Sequence, residues 1–564
     1  MRRLRERLPW AGLAGGGDRV ALQKLERAVG LTATAALVFL HIVFLANAGA
    51  LWRDEANLVN LSSMPPREVW ANLEFDSTPL GYVALLRTWM WAGLGASDFS
   101  LRILGCTLGL GVLGLLWWNA LRFGCRAPLV SLALLGFSAT AITYGDAIRG
   151  YGLGMLTALL TFGLTWRLVE RPSARSTLLT LVSAVVSVHA VYFNAVILLG
   201  TCAGGAIVAL RRRQWRTIGL IALVGSMSAV SLLPYVAVFQ SRKAWNFMIQ
   251  FPISLKWIWA RFVEASSLSG PLIHWVWVGV ALMGILAVVV VNWRGGLGSP
   301  GKPSDIGLFC GAALVTGVTA YLLFVLRLSY PMNPWYFLVL MALVASCLDG
   351  ALLAVPRQPL RIAVGVVAIA AMTLAIGPVW KSVHVRKTNV DVIAATLAQS
   401  SKPGDVIIVS PWFIGITFDR YYHGAAEWFT IPPMSSHKVH RWDQLKDAMT
   451  SADAMKPVLS RIETALQSGH RVWLVGSVII PAEGQGPPVI APATAAPWGF
   501  REEPYYRAWA TQVGYVMRRD GLSRHVVHVP SAGPVSHYEA LPVGLVEGRP
   551  RTDGRAAANV VGPR

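Results

Sequence analysis

The sequence predicts a polytopic α-helical membrane protein with about eleven transmembrane helices, followed by a C-terminal soluble α/β domain. Composition, the spacing of apolar stretches and a change of character near residue 380 carry that expectation. Of 564 residues, 54% are hydrophobic and only 14% charged. A soluble globular chain carries about 25% charged residues, so this one has too few to cover its surface in water.

Stretches long and apolar enough to cross a bilayer need about 18 or more residues. They occur near 30–51, 101–121, 127–145, 150–168, 177–210, 217–239, 272–293, 306–326, 334–354 and 361–380. The stretch 177–210 is too long for one crossing and is read as two. The first is too long for a removable signal peptide and lacks its small-residue cleavage site.

The formal charge of +21 does not form one basic face, which excludes nucleic acid as the expected partner. The basic residues instead lie in short runs at alternate ends of the spans. Arg2, Arg3, Arg5 and Arg7 precede the first; Arg122 and Arg126, then Arg167, Arg171 and Arg175, follow later ones. Residues 211–213 with Arg216, Arg294 with Lys302, and Arg357 with Arg361 complete the set. With eleven spans all fall on one side, which the positive-inside rule makes cytoplasmic. The expected location is therefore the inner (cytoplasmic) membrane, multi-pass. The N-terminus lies inside, with Asp54 and everything beyond Lys381 outside.

The domains expected are a cytoplasmic segment 1–29, a transmembrane catalytic domain 30–380, an extracytoplasmic α/β domain 381–548 and a disordered tail 549–564. Within the α/β domain, 391–399 and 459–467 read as helices, and KPGDVIIVSP and GHRVWLVGSVII as strands. No Gly-rich phosphate loop follows a strand, so no nucleotide site is expected. The Pro/Ala/Gly-rich run 481–499 is a loop. Two outer loops, 52–99 and 240–271, carry aromatic and basic amphipathic stretches suited to the membrane interface. The five cysteines sit in or beside spans, which implies neither a disulfide framework nor a cysteine metal site.

Four outward-facing places hold polar groups that a bilayer excludes unless they serve a site. The first is Arg53-Asp54-Glu55 with Asn57, just past the first span. The second is Tyr144, Asp146, Arg149 and Tyr151 between the third and fourth spans. The third is His189, Tyr192 and Asn194, and the fourth is Arg327, Tyr330 and Tyr336. Plainer readings stand beside them. Asp54 and Glu55 can cap a helix start; Asp146 and Arg149, three apart, can neutralise each other; His189 can be a hydrogen-bonded core residue; and Tyr330 and Tyr336 can belong to an aromatic belt.

The order of RDEA opening the first outer loop, TPL-Y (Thr78, Pro79, Leu80, Tyr82), FSLR at 99–102 and R-x-Y (Arg149, Tyr151) resembles the GT-C superfamily. Within it the similarity is to the protein mannosyltransferase-like and aminoarabinose transferase-like enzymes that use polyprenyl-phosphate-linked sugars. The resemblance covers roughly 30–380. It implies that Asp54 is the acid at the catalytic centre with Glu55 beside it, that Asp146 is a further catalytic acid, and that Arg149 lies near the lipid phosphate. The chain departs from the family pattern where Ser77-Thr78-Pro79-Leu80 replaces His-Pro-Pro-Leu and Trp335-Tyr336 replaces Arg-Tyr.

The function expected is a cell-envelope glycosyltransferase, transferring a hexosyl or pentosyl group with inversion from a polyprenyl-phosphate donor to a lipid, glycan or protein acceptor. A cation near the phosphate and a base near the acceptor hydroxyl are what that chemistry needs. Arg149 with Tyr151, Arg242, Lys243, Arg261 or Arg327 supplies the first and Asp54 the second. Tyr144, His189, Tyr192, Asn194 and Tyr336 are further site candidates. Asp54, Glu55 and Asp146 are residue types that hold divalent ions, but no dense ligand motif surrounds them, so no metal is assigned. The alternatives are a transporter or flippase of lipid-linked glycans, which tends to place polar groups at the bilayer midplane, and a receptor that binds through its α/β domain.

Overall fold

The computed structural model describes residues 16–246, 253–295, 302–328, 332–353, 358–494, 501–531 and 533–548. Arg2, Arg3, Arg5, Arg7, Tyr330, Arg357 and the tail from 549 lie outside the described residues. So do the side chains of Arg242, Lys243, Arg294, Lys302 and Arg361. The chain divides into two compact units. One comprises 1–47, 78–235 and 252–384; the other comprises 48–77, 236–251 and 385–564.

The first unit is helical. Among the described residues, seven helices are long and apolar enough to cross a membrane: Val20–Asn47, Asp98–Phe123, Gly150–Glu170, Asn194–Arg211, Pro303–Leu328, Pro334–Leu353 and Ile362–Val383. The bent pair Trp215–Val230 and Tyr235–Ser241 makes an eighth, and Ala174–Ala190 and Ile273–Leu286 are shorter apolar helices.

The remaining expected span, 127–145, is not one rod. It runs as a short turn Leu129–Ser131, a π-helical turn Leu132–Gly136 and a separate helix Ala139–Gly145. The cause is Asp349, whose buried carboxylate accepts from the Val130 N–H at 3.1 Å, the Ser131 N–H at 3.2 Å and the Ser131 hydroxyl. An internal acid that takes backbone donors supplies a helix start inside the apolar stretch. Ser138 then caps the last piece, accepting from Ala141 N–H at 3.2 Å.

The second unit holds a five-stranded sheet of β1 (Val406–Ser410), β2 (Glu427–Thr430), β3 (Arg471–Gly476), β4 (Gly521–Val527) and β5 (Val543–Gly548), in the order β2-β1-β3-β5-β4. The first three strands are parallel, and β5 runs antiparallel to both β3 and β4. VIIVS in β1 is buried throughout, as a central parallel strand covered on both faces must be. Helix Val390–Ser400 packs Ile393 and Leu397 onto this strand's Ile407 and Val409.

The first long loop also belongs to this unit. Lys387 N–H donates to Ala48 O at 2.9 Å, Leu51 N–H to Tyr421 Oη at 2.8 Å and Asn60 Nδ2 to Lys438 O at 2.9 Å. Helix Arg53–Ser63 is therefore a built part of the C-terminal fold, with Ala56, Leu58, Val59 and Leu61 in its core.

Candidate functional site

In the second unit, the start of helix Arg53–Ser63 is held from outside the loop. Arg53 N–H donates to Glu539 Oε1 at 2.8 Å, and the Thr417 hydroxyl lies 3.4 Å from both Glu539 oxygens. Burial pushes the Glu539 carboxyl up to about 7, opposed by the Arg53 guanidinium and its backbone N–H. The Arg53 guanidinium lies over the Phe413 ring at 4.4 Å, a favourable cation–π placement. Asp54, one-fifth exposed, has Oδ1 3.5 Å from Arg53 Nε and 3.4 Å from His440 Nε2.

His440 is itself fixed. Its N–H donates to Asn57 Oδ1 at 2.8 Å, and Asn57 Nδ2 donates to Asp76 Oδ2 at 2.5 Å. Its ring stands edge-on to Trp412 at 6.1 Å. The buried His440 Nδ1 has no hydrogen-bond partner among the described residues, and its Nε2 faces Asp54. Glu55 is fully buried, and its Oε2 accepts from Trp52 N–H at 3.3 Å as a capping residue does. Trp412 Nε1 donates to the Tyr506 hydroxyl, and burial pushes the neighbouring Glu502 up to about 7.

In the first unit, Asp146 closes helix Ala139–Gly145 and Arg149 opens helix Gly150–Glu170, both buried. The Asp146 Oδ2 lies 2.7 Å from His41 Nδ1. Tyr144 packs on Trp335 at 4.5 Å, Tyr151 on Tyr336 at 6.1 Å, and Tyr336 on Phe193 at 5.3 Å. Tyr321 Oη donates to the Tyr336 carbonyl at 2.7 Å, fixing the 334–337 turn. Next along the chain, Phe337 lines an apolar cavity of about 500 Å³, whose wall includes Ile258, Phe262, Val318, Leu322 and Met341.

Other expected residues have structural partners. His189 bonds Tyr235 Oη at 3.0 Å and Ser231 Oγ at 3.2 Å, and Tyr192 stands edge-on to Tyr235 at 5.3 Å. Asn194 Nδ2 donates to the Gly154 and Ser187 carbonyls, both at 3.0 Å, tying three helices. Arg261 pairs with Glu264 at 2.5 Å on its own helix. Arg327 is exposed in the last turn of Lys302–Leu328. Arg242 and Lys243 have side chains outside the described residues.

Among the described residues, no cluster of three or more His, Cys, Asp or Glu side chains is placed to hold a metal ion. Sequence reasoning missed His41, His440 and Glu539. For His41 a signal existed, since it is the one titratable residue in 29–47.

No protein-family model and no curated protein matches the chain. Among solved structures it is similar to ArnT from Cupriavidus metallidurans in the apo state, with 12% identity and a TM-score of 0.46 over 82% of this chain and 94% of that one. It is also similar to the same organism's ArnT bound to undecaprenyl phosphate, with 13% identity and a TM-score of 0.45 over 95% and 99%. A third is the Archaeoglobus fulgidus oligosaccharyltransferase tethered to an acceptor peptide, with 11% identity and a TM-score of 0.43 over 79% and 69%.

Proposed function

We propose that this protein is a membrane glycosyltransferase that takes a sugar from a polyprenyl-phosphate donor and inverts its anomeric centre on transfer to a lipid, glycan or protein acceptor. The observation that carries this reading lies in the helical unit. The 500 Å³ apolar cavity reaches Phe337. The adjoining Tyr336 packs on Tyr151, two residues from Arg149 at a helix start. An apolar slot followed by aromatic rings, an arginine and a helix N-terminus suits a long hydrocarbon ending in a phosphate.

In the proposed reaction the acceptor oxygen attacks the anomeric carbon as the bond from that carbon to the phosphate oxygen breaks. The departing polyprenyl phosphate keeps the bonding electron pair, and Arg149 stabilises its charge. Asp54 takes the acceptor proton, with His440 and Arg53 on its Oδ1 orienting the carboxylate. Both the site and the C-terminal unit are assigned to the extracytoplasmic side of the inner membrane.

The test is transfer of labelled sugar from synthetic polyprenyl-phosphate donors by the purified protein. Arg149→Ala should weaken donor use about 10- to 100-fold, the loss of one charge-assisted phosphate contact, and Arg149→Lys should recover only part of it. Unchanged donor kinetics in Arg149→Ala remove this residue from the site, and donor binding without transfer to any acceptor favours the flippase. Sidedness is read by an impermeant thiol reagent, which should label Ser477→Cys but not Ala174→Cys from the extracytoplasmic face.

A further inference from the structure

In the helical unit His41 and Asp146 make a deeply buried acid–base contact, with side chains 5% and 2% exposed and 2.7 Å between Nδ1 and Oδ2. Ionisable groups at such depth are costly and persist where they pair in a defined role. The helix facing them is cut to fit. A Cβ at Gly109 would lie 2.0 Å from Asp146 Oδ1 and 2.7 Å from the His41 ring, and one at Gly105 would lie 1.9 Å from the Asp146 carbonyl oxygen. Glycine at both positions lets helix Asp98–Phe123 close over the pair. Leu113, Leu135, Ile142 and Met155 form apolar walls beside it, and low polarity strengthens the contact.

Asp146 also anchors a four-residue turn that ends in the proposed phosphate ligand. Its N–H donates to Ile142 O at 3.0 Å, finishing one helix, and Arg149 N–H donates to Ala147 O at 2.7 Å, just before the next begins. Fixing the Asp146 side chain on the first helix therefore fixes where the turn leaves off and where Arg149 starts. On the reading that Arg149 holds the donor phosphate, we infer that His41 is a positioning residue for that phosphate, acting through Asp146 and the 146–149 turn. A purely packing role for His41 would need only bulk. The hydrogen bond and the two glycines that make room for it answer to the direction of the carboxylate instead.

The experiment measures binding of undecaprenyl phosphate to the full-length protein in detergent, together with KM and kcat for a polyprenyl-phosphate sugar. His41→Phe keeps an aromatic ring but cannot bond Asp146. It should raise both the Kd for undecaprenyl phosphate and the donor KM about 10-fold, leave kcat at saturating donor within about twofold, and be largely rescued by His41→Gln, whose amide can donate to the carboxylate. Wild-type Kd and KM in His41→Phe overturn the assignment. If that variant fails to fold, the paired change His41→Leu with Asp146→Leu replaces the buried pair by apolar groups, a swap that cores tolerate. It should still bind undecaprenyl phosphate weakly, and wild-type affinity in the folded double variant overturns the role. A wild-type protein that binds no undecaprenyl phosphate overturns the donor reading itself, and His41's role with it.

Discussion

Replacing Glu539 with glutamine removes a buried charge while leaving an oxygen to accept the Arg53 N–H. The carboxyl is fully buried and pushed from 4.5 up to about 7. Between those pH values the folded protein holds a proton that the unfolded chain has released. The associated stability is therefore complete below pH 4.5 and lost as pH rises through 7. At about 1.4 kcal/mol for each tenfold in acidity, the ionised Glu539 costs about 3 kcal/mol at pH 8. Glu539→Gln should recover much of that, raising the melting temperature of the C-terminal unit by several degrees at pH 8 and changing it little at pH 4.5. Glu502, pushed to about 7 as well, remains in the variant, so the fall in stability toward neutral pH should be roughly halved. Thermal melts followed by tryptophan fluorescence from pH 4.5 to 8 measure this. A variant no more stable than wild type at pH 8, with the same pH slope, would refute the burial argument.

Three further outcomes are expected. Asp54→Asn should lower turnover about 100-fold with donor binding intact, whereas Glu55→Gln keeps the cap on Trp52 N–H and should cost under about 1 kcal/mol of stability; paired transfer assays and melts decide, and near-normal turnover in Asp54→Asn would sink its role as base. Gly109→Ala pushes a methyl into the His41–Asp146 contact and should destabilise by on the order of 3 kcal/mol, read as a lowered melting temperature; an unchanged one would show that the helix yields freely. Val318→Phe narrows the apolar cavity and should raise KM for long-chain donors about 10-fold while sparing short-chain ones; equal effects on both would place the lipid tail elsewhere.

Apolar length made the helical unit legible, because a run such as 101–121 has no other stable form in a bilayer. The break inside 127–145 was not legible, since the acid that causes it, Asp349, is 219 residues from Val130. The α/β domain announced itself through VIIVS and RVWLV, although the antiparallel β4 is largely exposed and the short β5 only partly buried, and neither gave a comparable signal. Motif order singled out Asp54, Asp146 and Arg149 as chemically interesting. Their partners were invisible for the same reason as the break: His41 meets Asp146 across 105 residues, and Arg53 meets Glu539 across 486. The opening of the outer loop 52–99, residues 53–63, is a helix with a buried face, because its leucines find their counterparts in residues made much later.

That late partnership has a consequence for how the protein is made. Asn57 and the His440 N–H that it receives are separated by 383 residues. At about 5–20 residues per second, roughly 20–80 s pass between synthesis of the two. Throughout that interval helix Arg53–Ser63 lacks the neighbours that bury it and the groups that orient Asp54. A chain stopped before residue 421 carries the whole acidic motif without the contacts that Tyr421, Lys438, His440 and Glu539 make to it. Order around this segment thus waits on residues made hundreds of positions later, although the segment itself is among the first to leave the ribosome.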